Sequence, residues 1–246
     1  MDKLHIITPV KDSLETAERA ISALMSSVTD IPFEYTVYND FSSDENTQKL
    51  EALSKKYFFH LINLKEITSH PSPNYLLVLQ KAQAKALNDK THLIIVESDV
   101  IVKENTVQQL YDCAGLSEKA GMVSAVTTDE SGNINFPNLY ARKYKKGLIS
   151  TRKRISFCCA LLTYELLSRL DFKTLNPSRD WYDVIISHKS LRLGLKNYLN
   201  TLCEVIHLPH SSRPWKLLKY SNPLKYYWLK YTKQLKKTKV EFPQKK

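Results

Sequence analysis

Short apolar runs alternate with helical patterns over the first hundred residues of the chain. Four runs rich in β-forming residues are separated by three stretches with apolar residues at helical spacing. The strand candidates are residues 4–10, 33–38, 57–64 and 92–96, and the helix candidates are residues 14–28, 47–57 and 75–87. Strands separated by helices form crossover connections, so this pattern predicts an α/β fold with a mostly parallel sheet flanked by helices on both faces.

The second half of the chain is less regular, which indicates a mixed rather than purely parallel sheet. Residues 142–154 predict a basic surface loop with a short hairpin, and residues 155–163 predict a strand. Residues 182–193 have a helical pattern, and residues 199–208 predict a last strand. Composition shifts to lysine and aromatic residues near Pro214. We therefore expect one α/β domain over residues 1–212 and a separate tail over residues 213–246.

The positive charge of the chain is concentrated in that tail. The 246 residues carry a net charge of +11, and the tail holds eleven Lys or Arg side chains against one acid, Glu241. The remaining 212 residues are therefore nearly neutral. A general nucleic-acid-binding domain would spread basic side chains over its folded surface, so no nucleic-acid partner is expected.

Glycine is absent from the turns in which a phosphate-binding loop would need it. The first glycine in the chain is Gly115, so the first three β–α turns contain none. Dinucleotide fingerprints and P-loops need glycine there, because the backbone must approach the phosphate closely. A nucleotide bound by this half of the chain would be held by acidic side chains and a metal ion.

Cysteine usage and hydropathy predict a reduced, cytoplasmic protein. The four cysteines form no C-x-x-C pair and therefore predict no zinc motif; they are Cys113, Cys158, Cys159 and Cys203. Cys158 and Cys159 lie in an apolar run and are expected to pack. No apolar run approaches the roughly 20 residues of a spanning helix. The N-terminus lacks the pattern of a secretory signal.

Polar side chains follow the predicted strands in a fixed order along the chain. They are Thr8-Pro9, Asn39-Asp40, Glu97-Ser98-Asp99, Asp183 and His207. Open α/β sheets bind ligands at the carboxyl ends of their strands, where these residues are expected to meet. Glu97 and Asp99 are two residues apart and would share one face of an extended segment. Such a pair suits a hard divalent cation that also contacts diphosphate oxygens.

The same motifs resemble those of family-two glycosyltransferases of the GT-A fold. In that family the first strand ends in a Pro-Val turn, matched by residues 5–10. A second strand ends in an Asp-Asp-x-Ser-x-Asp loop, matched by residues 39–44, and a fourth ends in D-x-D, matched by residues 93–99. The resemblance spans about residues 4–210. It implies metal-dependent, inverting transfer of a sugar from a nucleotide diphosphate to an acceptor hydroxyl. It also implies a nucleotide-sugar-binding half at about residues 1–100 and an acceptor half at residues 101–212.

The resemblance assigns the nucleobase to Asp40. An aspartate at this loop can accept a hydrogen bond from a ring N–H, which favours uracil or thymine and hence a UDP- or dTDP-sugar. The backbone of Thr8 and Pro9 would lie against the base. Asn39 replaces the first Asp of the family motif, which leaves the ribose contact open. The alternative is a solvated turn, because Asn, Asp and Ser favour turns in any protein.

The resemblance also suggests a metal site for Mn²⁺ or Mg²⁺. The motif here is E-x-D, so we assign direct ligation to Asp99 and expect Glu97 to reach the ribose or a metal-bound water. His207 follows an apolar strand, as the family's late histidine does, and is a candidate third ligand. His210 is a competing candidate, and a purely structural role for His207 stays open.

The general base is expected near the start of the helix at residues 182–193. The family carries a Glu-Asp pair about eleven residues before a glycine, and counting back from Gly194 reaches Asp183, with Tyr182 replacing the Glu. Asp180, three residues earlier, is an alternative base or a helix cap. Lys81 lies where relatives carry a basic residue near the diphosphate, although a solvated helix lysine is equally consistent with the sequence.

Two basic segments have open roles. The residues between 142 and 154 could meet a phosphorylated acceptor or only solubilise a loop. In the tail, Asn222 can cap a helix that begins at Pro223. Its apolar stripe is Leu224, Tyr227, Trp228, Tyr231 and Leu235. With its lysines, residues 222–237 suit an anionic membrane surface, and the alternative is that the stripe docks on protein.

Taken together, the motifs and the family that they resemble imply an enzyme of cell-surface polysaccharide or glycolipid synthesis. Its expected partners are a nucleotide-sugar donor and a saccharide or lipid-linked saccharide acceptor, at the inner face of the membrane. Two rivals stay open. A sugar nucleotidyltransferase also uses a mixed sheet and carboxylate-bound metal but normally has a Gly-rich loop after its first strand. A non-catalytic module that binds anionic membrane or nucleic acid would leave the ordered carboxylates unexplained.

Overall fold

The computed structural model describes residues 3–177, 181–208 and 222–232. The strands within these residues form one mixed sheet. The strands are β1 (Leu4–Val10), β2 (Phe33–Asn39), β3 (His60–Asn63), β4 (His92–Val96), β5 (Val100–Ile101), β6 (Ala120–Thr128), β7 (Leu148–Thr151), β8 (Cys159–Leu162) and β9 (Lys196–His207). The helices are α1 (Leu14–Met25), α2 (Asp44–Tyr57), α3 (Tyr75–Asn88), α4 (Thr106–Gly115), α5 (Tyr164–Arg169), α6 (Tyr182–Arg192) and α7 (Pro223–Thr232).

The sheet has a parallel half and a mixed half. Its strand order is β3-β2-β1-β4-β8-β6-β9-β5, with β7 paired to β9 beside this path. Strands β1 to β4 pair parallel to one another, whereas β8 is antiparallel to both β4 and β6. Strand β9 is parallel to β6 and antiparallel to β5 and β7. The predicted α/β architecture with a mixed sheet is confirmed.

Two apolar layers cover the faces of the sheet. Helices α1, α2 and α4 bury their apolar stripes on one face, and α3, α5 and α6 bury theirs on the other. Strand β4 shows why both faces must be covered, because its side chains alternate between the layers. Ile94 and Val96 belong to the first core, and Leu93 and Ile95 to the second. Buried strands of this kind read as continuous apolar runs in the sequence.

Several element boundaries differ from the prediction. Helix α2 begins at Asp44 rather than near residue 47, because the Ser43 hydroxyl accepts the Asn46 N–H at 3.3 Å and caps the helix. The predicted hairpin within residues 142–154 is wrong: its strand, β7, pairs with β9 from Leu148 opposite Asn200 to Thr151 opposite Asn197. Strand β8 covers only the second half of the segment predicted at residues 155–163.

The part of the tail that the structure describes is helical, as expected. The Asn222 side chain accepts the Lys225 N–H at 3.0 Å, and α7 follows directly from Pro223. Leu224 and Trp228 are 85% and 64% exposed. Residues 213–221 and 233–246, including Leu235 of the predicted stripe, lie outside the described residues. Among the residues that are described, no helix is long and apolar enough to cross a membrane.

Candidate active site

Four of the predicted site residues, Thr8, Pro9, Asp40 and Glu97, lie at the carboxyl ends of β1, β2 and β4. Thr8 and Pro9 are among the last three residues of β1. Asp40 follows β2 directly, and Glu97 follows β4 directly. Strand β1 pairs with β4 only as far as Ile7, so its last residues project past the end of β4. The Asp40 N–H donates to the Val10 carbonyl at 2.7 Å, which holds the two loops together. The edge is therefore built from adjacent parallel strands.

Asp40 is a buried carboxylate held by the segment that leads into α3. Its Oδ2 accepts the Ser72 hydroxyl at 2.8 Å and the Asn74 N–H at 2.9 Å, and its Oδ1 accepts the Asn74 Nδ2 at 2.8 Å. Each carboxylate oxygen has two lone-pair directions, so Oδ1 retains one for a further donor. Asp40 thus fixes the start of α3 and keeps acceptor capacity.

Asn39 has a structural role in the loop after β2. Its Nδ2 donates to Thr47 Oγ1 and to Asn63 Oδ1, both at 2.9 Å, and its Oδ1 accepts the Ser42 N–H at 3.2 Å. The side chain is buried, and both amide protons are used. An amide donates to two partners here where an aspartate could only accept, which explains the departure from the family motif.

The Thr8 side chain points into the protein. Its Oγ1 accepts the Tyr35 hydroxyl at 2.9 Å, and the residue is 1% exposed. Of Thr8, only the backbone is left to meet a ligand at this edge, and the contact of the Thr8 and Pro9 backbone with a base stays a prediction.

Asp99 and His207 are brought together by a short antiparallel pairing. Strand β5 follows Asp99 directly, and its Val100 pairs with His207 of β9. The Leu208 N–H also donates to the Asp99 carbonyl at 2.9 Å. As a result, Asp99 Oδ2 lies 3.6 Å from His207 Nε2. Two residues that are 108 positions apart in the sequence are therefore neighbours in the fold.

The orientation of His207 suits metal ligation. Its Nδ1 lies 2.8 Å from the Phe136 carbonyl oxygen, which can only accept, so Nδ1 carries the proton. The second ring nitrogen, Nε2, then faces the Asp99 carboxylate. A histidine that donates one ring N–H to a carbonyl while its other nitrogen faces a carboxylate has the arrangement of a metal ligand.

Burial and mutual repulsion act on the carboxylates of this site. Burial, and after it the Asp99 carboxylate, raises the pKa of Glu97 to about 7. Burial would lower the pKa of His207, but Asp99 and Glu97 more than offset it, so the pKa is raised. These shifts indicate excess negative charge that a divalent cation would neutralise. Two carboxylates and an imidazole are donors that Mn²⁺ accepts, so the residues fit the predicted metal.

Two residues at this site were not predicted. The Cys158 thiol donates to Glu97 Oε2 at 3.3 Å, and the Glu97 N–H donates to the Cys158 carbonyl at 2.9 Å. The Tyr75 hydroxyl is buried and has no hydrogen-bond partner among the described residues. Burial, with Glu97 and Asp183 adding to it, raises the pKa of Tyr75 well above its usual value. No sequence motif identifies either residue as part of the site. The antiparallel β4–β8 pairing brings Cys158 here, and the start of α3 brings Tyr75.

Asp183 lies in the first turn of α6 beside a cation. Its Oδ1 accepts the Val184 N–H at 2.8 Å, and its Oδ2 lies 3.5 Å from Arg154 Nη1. The Arg154 guanidinium also lies over the rings of Phe136 and Trp181, at 5.7 and 5.5 Å from their centroids. Arg154 is thus the member of the basic loop that reaches the site. Asp180, the alternative base, lies outside the described residues, as does His210.

Lys81 is not joined to the site by any contact in the part of the chain that the structure describes. It lies on α3 and is half-buried. Other members of the basic loop have local partners: Arg142 donates to the Ile134 carbonyl, Lys146 pairs with Glu204 at 3.0 Å, and Lys153 lies over the Tyr140 ring. These contacts indicate that three of the loop's seven basic side chains serve local structure.

Solved structures with a similar fold decide the architecture. A mannosyltransferase from Pyrobaculum calidifontis, in complex with GDP-Man and Mn²⁺, aligns over 92% of this chain with a TM-score of 0.63 and 15% identity. Residues 1–349 of TarS from S. aureus align over 81% of this chain, with a TM-score of 0.59 and 16% identity. The chain has the GT-A fold.

Other GT-A proteins agree with this assignment. GalNAc-T7 with UDP, GalNAc and Mn²⁺ aligns over 85% of this chain, with a TM-score of 0.63 and 13% identity. This GT-A chain spans 63% of the mannosyltransferase, 60% of the TarS fragment and 44% of GalNAc-T7. By sequence, no family model and no curated protein matches it. The similarity to these proteins therefore lies in the arrangement of the strands and helices that also carry the predicted motifs.

Proposed function

We propose that this GT-A protein transfers a sugar from a nucleotide diphosphate to an acceptor hydroxyl, with inversion at the anomeric carbon. The observation that carries the proposal is the meeting of Glu97, Asp99 and His207 at the sheet edge that also carries Asp40. Structures with the same fold bind GDP-Man with Mn²⁺, UDP-GlcNAc, or UDP with Mn²⁺. A metal-binding carboxylate cluster beside a nucleobase acceptor suits this class of substrate.

Asp99 and His207 are the proposed ligands of Mn²⁺ or Mg²⁺, with Glu97 beside them. When bound, the metal would stabilise negative charge on the departing diphosphate. The protein's own part is to fix the ligands. The Phe136 carbonyl fixes the orientation of the His207 ring, and the β5–β9 pairing holds Asp99 next to that ring. Glu97 then contacts the ribose or a metal-bound water.

The donor is proposed to be a UDP- or dTDP-sugar. Uracil and thymine present a ring N–H that the remaining lone pair of Asp40 Oδ1 can accept, while the backbone of Thr8 and Pro9 lies against the base. The rigid support of Asp40 by Asn74 and Ser72 keeps this acceptor in place before the donor arrives. Lys81 is the proposed basic residue near the diphosphate, as the family resemblance implies.

Asp183 is proposed to take the proton from the acceptor hydroxyl. One carboxylate beside the acceptor is sufficient for a direct displacement, and a base on the side opposite the leaving group gives inversion. Arg154, held between two aromatic rings, would fix the orientation of the Asp183 carboxylate. Asp180 is the second candidate for this role.

The acceptor is proposed to be a saccharide or lipid-linked saccharide of polysaccharide or glycolipid synthesis at the cytoplasmic face of a membrane. Helix α7 exposes Leu224, Tyr227 and Trp228 within the basic tail. An anionic surface attracts nearby lysines by about 1 kcal/mol each. Replacing Leu224 and Trp228 by Ser should lower co-sedimentation with anionic vesicles, whereas Leu202→Ser on β9 should not. Equal binding by all three proteins would contradict this membrane role.

The test of the proposed activity is the release of nucleoside diphosphate from a panel of UDP-, dTDP- and GDP-sugars, with Mn²⁺, Mg²⁺ or EDTA. Loss of the metal removes several kcal/mol of charge stabilisation, so Asp99→Ala should lower turnover at least about 100-fold. Glu204→Ala is the matched control, because Glu204 also lies on this sheet but is paired with Lys103 and Lys146. Turnover that EDTA leaves intact, or formation of a nucleotide-sugar from a triphosphate and a sugar phosphate, would contradict the proposal.

A further inference from the structure

Cys158 adds a soft ligand to a site otherwise made of carboxylates and imidazole. One ligand atom from each of Glu97, Cys158 and His207 lies within 4.8 Å of the other two. The thiol is 4% exposed and donates to Glu97 Oε2. The C-x-x-C spacing that usually announces a zinc site is absent. Glu97, Cys158 and His207 are far apart in the sequence and come together only in the folded chain.

The backbone holds the three side chains in place. Strand β4 pairs antiparallel with β8, from Leu93 opposite Leu162 to Val96 opposite Cys159, and the Glu97 N–H extends this ladder to the Cys158 carbonyl. His207 is oriented independently by the Phe136 carbonyl. The Ser156 hydroxyl, 3.2 Å from Cys158 Sγ, supports the thiol from its other side. A set whose supports come from separate hydrogen bonds is already largely organised before any ion binds.

We propose that Glu97, Cys158 and His207 form an inhibitory binding site for a thiophilic divalent cation, Zn²⁺ or Cd²⁺. Zinc accepts S, N and O ligands in tetrahedral geometry, with ligand atoms about 3.5 Å apart given its bond lengths. Closing the set to that spacing needs side-chain movement of about 1 Å, within the reach of small rotations. A coordinating thiol loses its proton to solvent as the metal–sulfur bond forms.

Occupancy of this site would exclude the catalytic metal. His207 belongs to both proposed ligand sets. Glu97 is a ligand in the inhibitory set and lies beside the catalytic one, so the two ions cannot bind together. Affinity for nitrogen and sulfur ligands rises from Mn²⁺ to Zn²⁺, and thiolate increases the preference for zinc. Zn²⁺ would therefore displace Mn²⁺. This inhibitory role rests on the proposed function, whereas binding of the ion to the thiol does not.

The test is the ultraviolet charge-transfer band of the Cd²⁺–thiolate bond, titrated on the full chain. Wild type and Cys159→Ala should develop the band with about one equivalent of Cd²⁺, and Cys158→Ala should not. Cys159 is the matched control, since it is the neighbouring buried cysteine and lies near Cys203 rather than Glu97. Glu97→Gln keeps the thiol, so it should retain the band but require about 10-fold or more Cd²⁺. It therefore tests the set even if Cys158→Ala does not fold.

In turnover assays, Zn²⁺ should inhibit the Mn²⁺-dependent reaction of wild type. Half-inhibition of Cys158→Ala should require about 10-fold or more Zn²⁺. An equal Cd²⁺ band in wild type and Cys158→Ala, or a Glu97→Gln titration identical to wild type, would overturn the proposal. Absence of Mn²⁺-dependent turnover would instead count against the proposed function, and the absorption result would still decide the thiol site.

Discussion

Two clusters of histidine and carboxylate lie at opposite ends of the same parallel strands. We call Glu97, Asp99 and His207 the carboxyl-edge cluster. His5, Glu34 and Asp89 form the amino-edge cluster, in which His5 and Glu34 pair across the starts of β1 and β2. By composition each offers one imidazole and two carboxylates, so residue types alone would make both of them candidate metal sites.

The amino-edge cluster is neutralised by lysines. Lys3 Nζ lies 2.7 Å from Asp89 and 3.0 Å from Glu34, and Lys85 Nζ lies 2.9 Å and 3.1 Å from the same two acids. Hydrogen bonds from Lys3 and Lys85 lower the pKa of Asp89 strongly. Burial lowers the pKa of His5. Every acid here has a cation, so the cluster has no need of a metal.

The carboxyl-edge cluster has the opposite electrostatics. Among the described residues, no lysine or arginine forms an ion pair with Glu97, whose polar partner is the Cys158 thiol. Its pKa is raised where that of Asp89 is lowered. Within the part of the chain that the structure describes, the nearby Tyr75 hydroxyl has no hydrogen-bond partner. Polar groups left uncompensated cost stability and are expected where a ligand later compensates them. The difference between the clusters therefore distinguishes the proposed binding site from a structural ion network.

The largest expected effect is a difference in kcat between a variant at the proposed active site and a variant at the amino edge. Asp183→Asn should lower kcat by about 10²–10⁴-fold, because a positioned general base contributes that much, while donor KM changes little. Asp89→Asn should leave kcat within about 2-fold of wild type, because Asp89 lies at the opposite end of the strands from the proposed active site. Steady-state kinetics with saturating donor and Mn²⁺ measure both. A full-rate Asp183→Asn enzyme would move the base to another residue such as Asp180.

The next effect concerns stability at the amino edge. Asp89→Asn should lower the melting temperature of the apo protein by several degrees, because Lys3 and Lys85 lose a shared partner. The folded pKa of Asp89 lies below its unfolded value, so its stabilisation is present above the unfolded pKa and is lost as pH falls below it. The deficit of the variant should therefore shrink in acid. Thermal melts between about pH 3 and 7 test this, and a pH-independent deficit would contradict the electrostatic explanation.

A contrasting pH dependence is expected at the carboxyl edge. The folded pKa of Glu97 is about 7, above its usual value of 4.5, so the folded state holds the extra proton between these values. The contribution of Glu97 to apo stability is therefore lost as pH rises through this window. Glu97→Gln should remove that loss, and its stability relative to wild type should rise from about pH 4.5 to about pH 7. Metal-free melts in EDTA provide the measurement, and an unchanged difference across the window would be evidence against a raised pKa.

The smallest effect should come from the unpartnered hydroxyl of Tyr75. Tyr75→Phe removes a buried polar group with no hydrogen-bond partner and keeps the ring that stacks on Tyr182, 6.4 Å between centroids. The free energy of unfolding of the apo protein should rise by about 1 kcal/mol. Tyr35→Phe is the matched control and should lower it, because the Tyr35 hydroxyl donates to Thr8. Denaturant titrations would contradict the comparison if both variants were destabilised.

The difference between the clusters also explains how far the sequence could predict the site. Asp40, Glu97 and Asp99 were identifiable because each follows an apolar strand, and parallel strands bring their carboxyl ends to one edge. The β5–β9 pairing brings His207 next to Asp99, and its role as a metal ligand stays a prediction. The sheet of the first hundred residues was predictable for the same reason, since local periodicity specifies each of its strands.

Other residues depended on contacts that no local pattern encodes. Cys158 meets Glu97 only because β8 pairs antiparallel with β4, and Phe136 orients His207 from a loop. Strand β6 was not predicted because its sequence, Ala-Gly-Met-Val-Ser-Ala-Val-Thr-Thr, shows neither the continuous run of large apolar residues found in β4 nor an alternation of apolar and polar residues. The sequence also could not distinguish the two clusters, because Lys3 and Lys85 neutralise Asp89 and Glu34 only in the folded chain.

The central claim is that a catalytic divalent cation binds at the carboxyl edge and not at the amino edge. The most direct measurement is a Mn²⁺ titration in the presence of UDP, followed by electron paramagnetic resonance of the free ion. Wild type and Asp89→Asn should bind one Mn²⁺ with equal affinity, and Asp99→Ala should bind it about 10–100-fold or more weakly. Loss of Mn²⁺ binding in Asp89→Asn, with full binding in Asp99→Ala, would contradict the account.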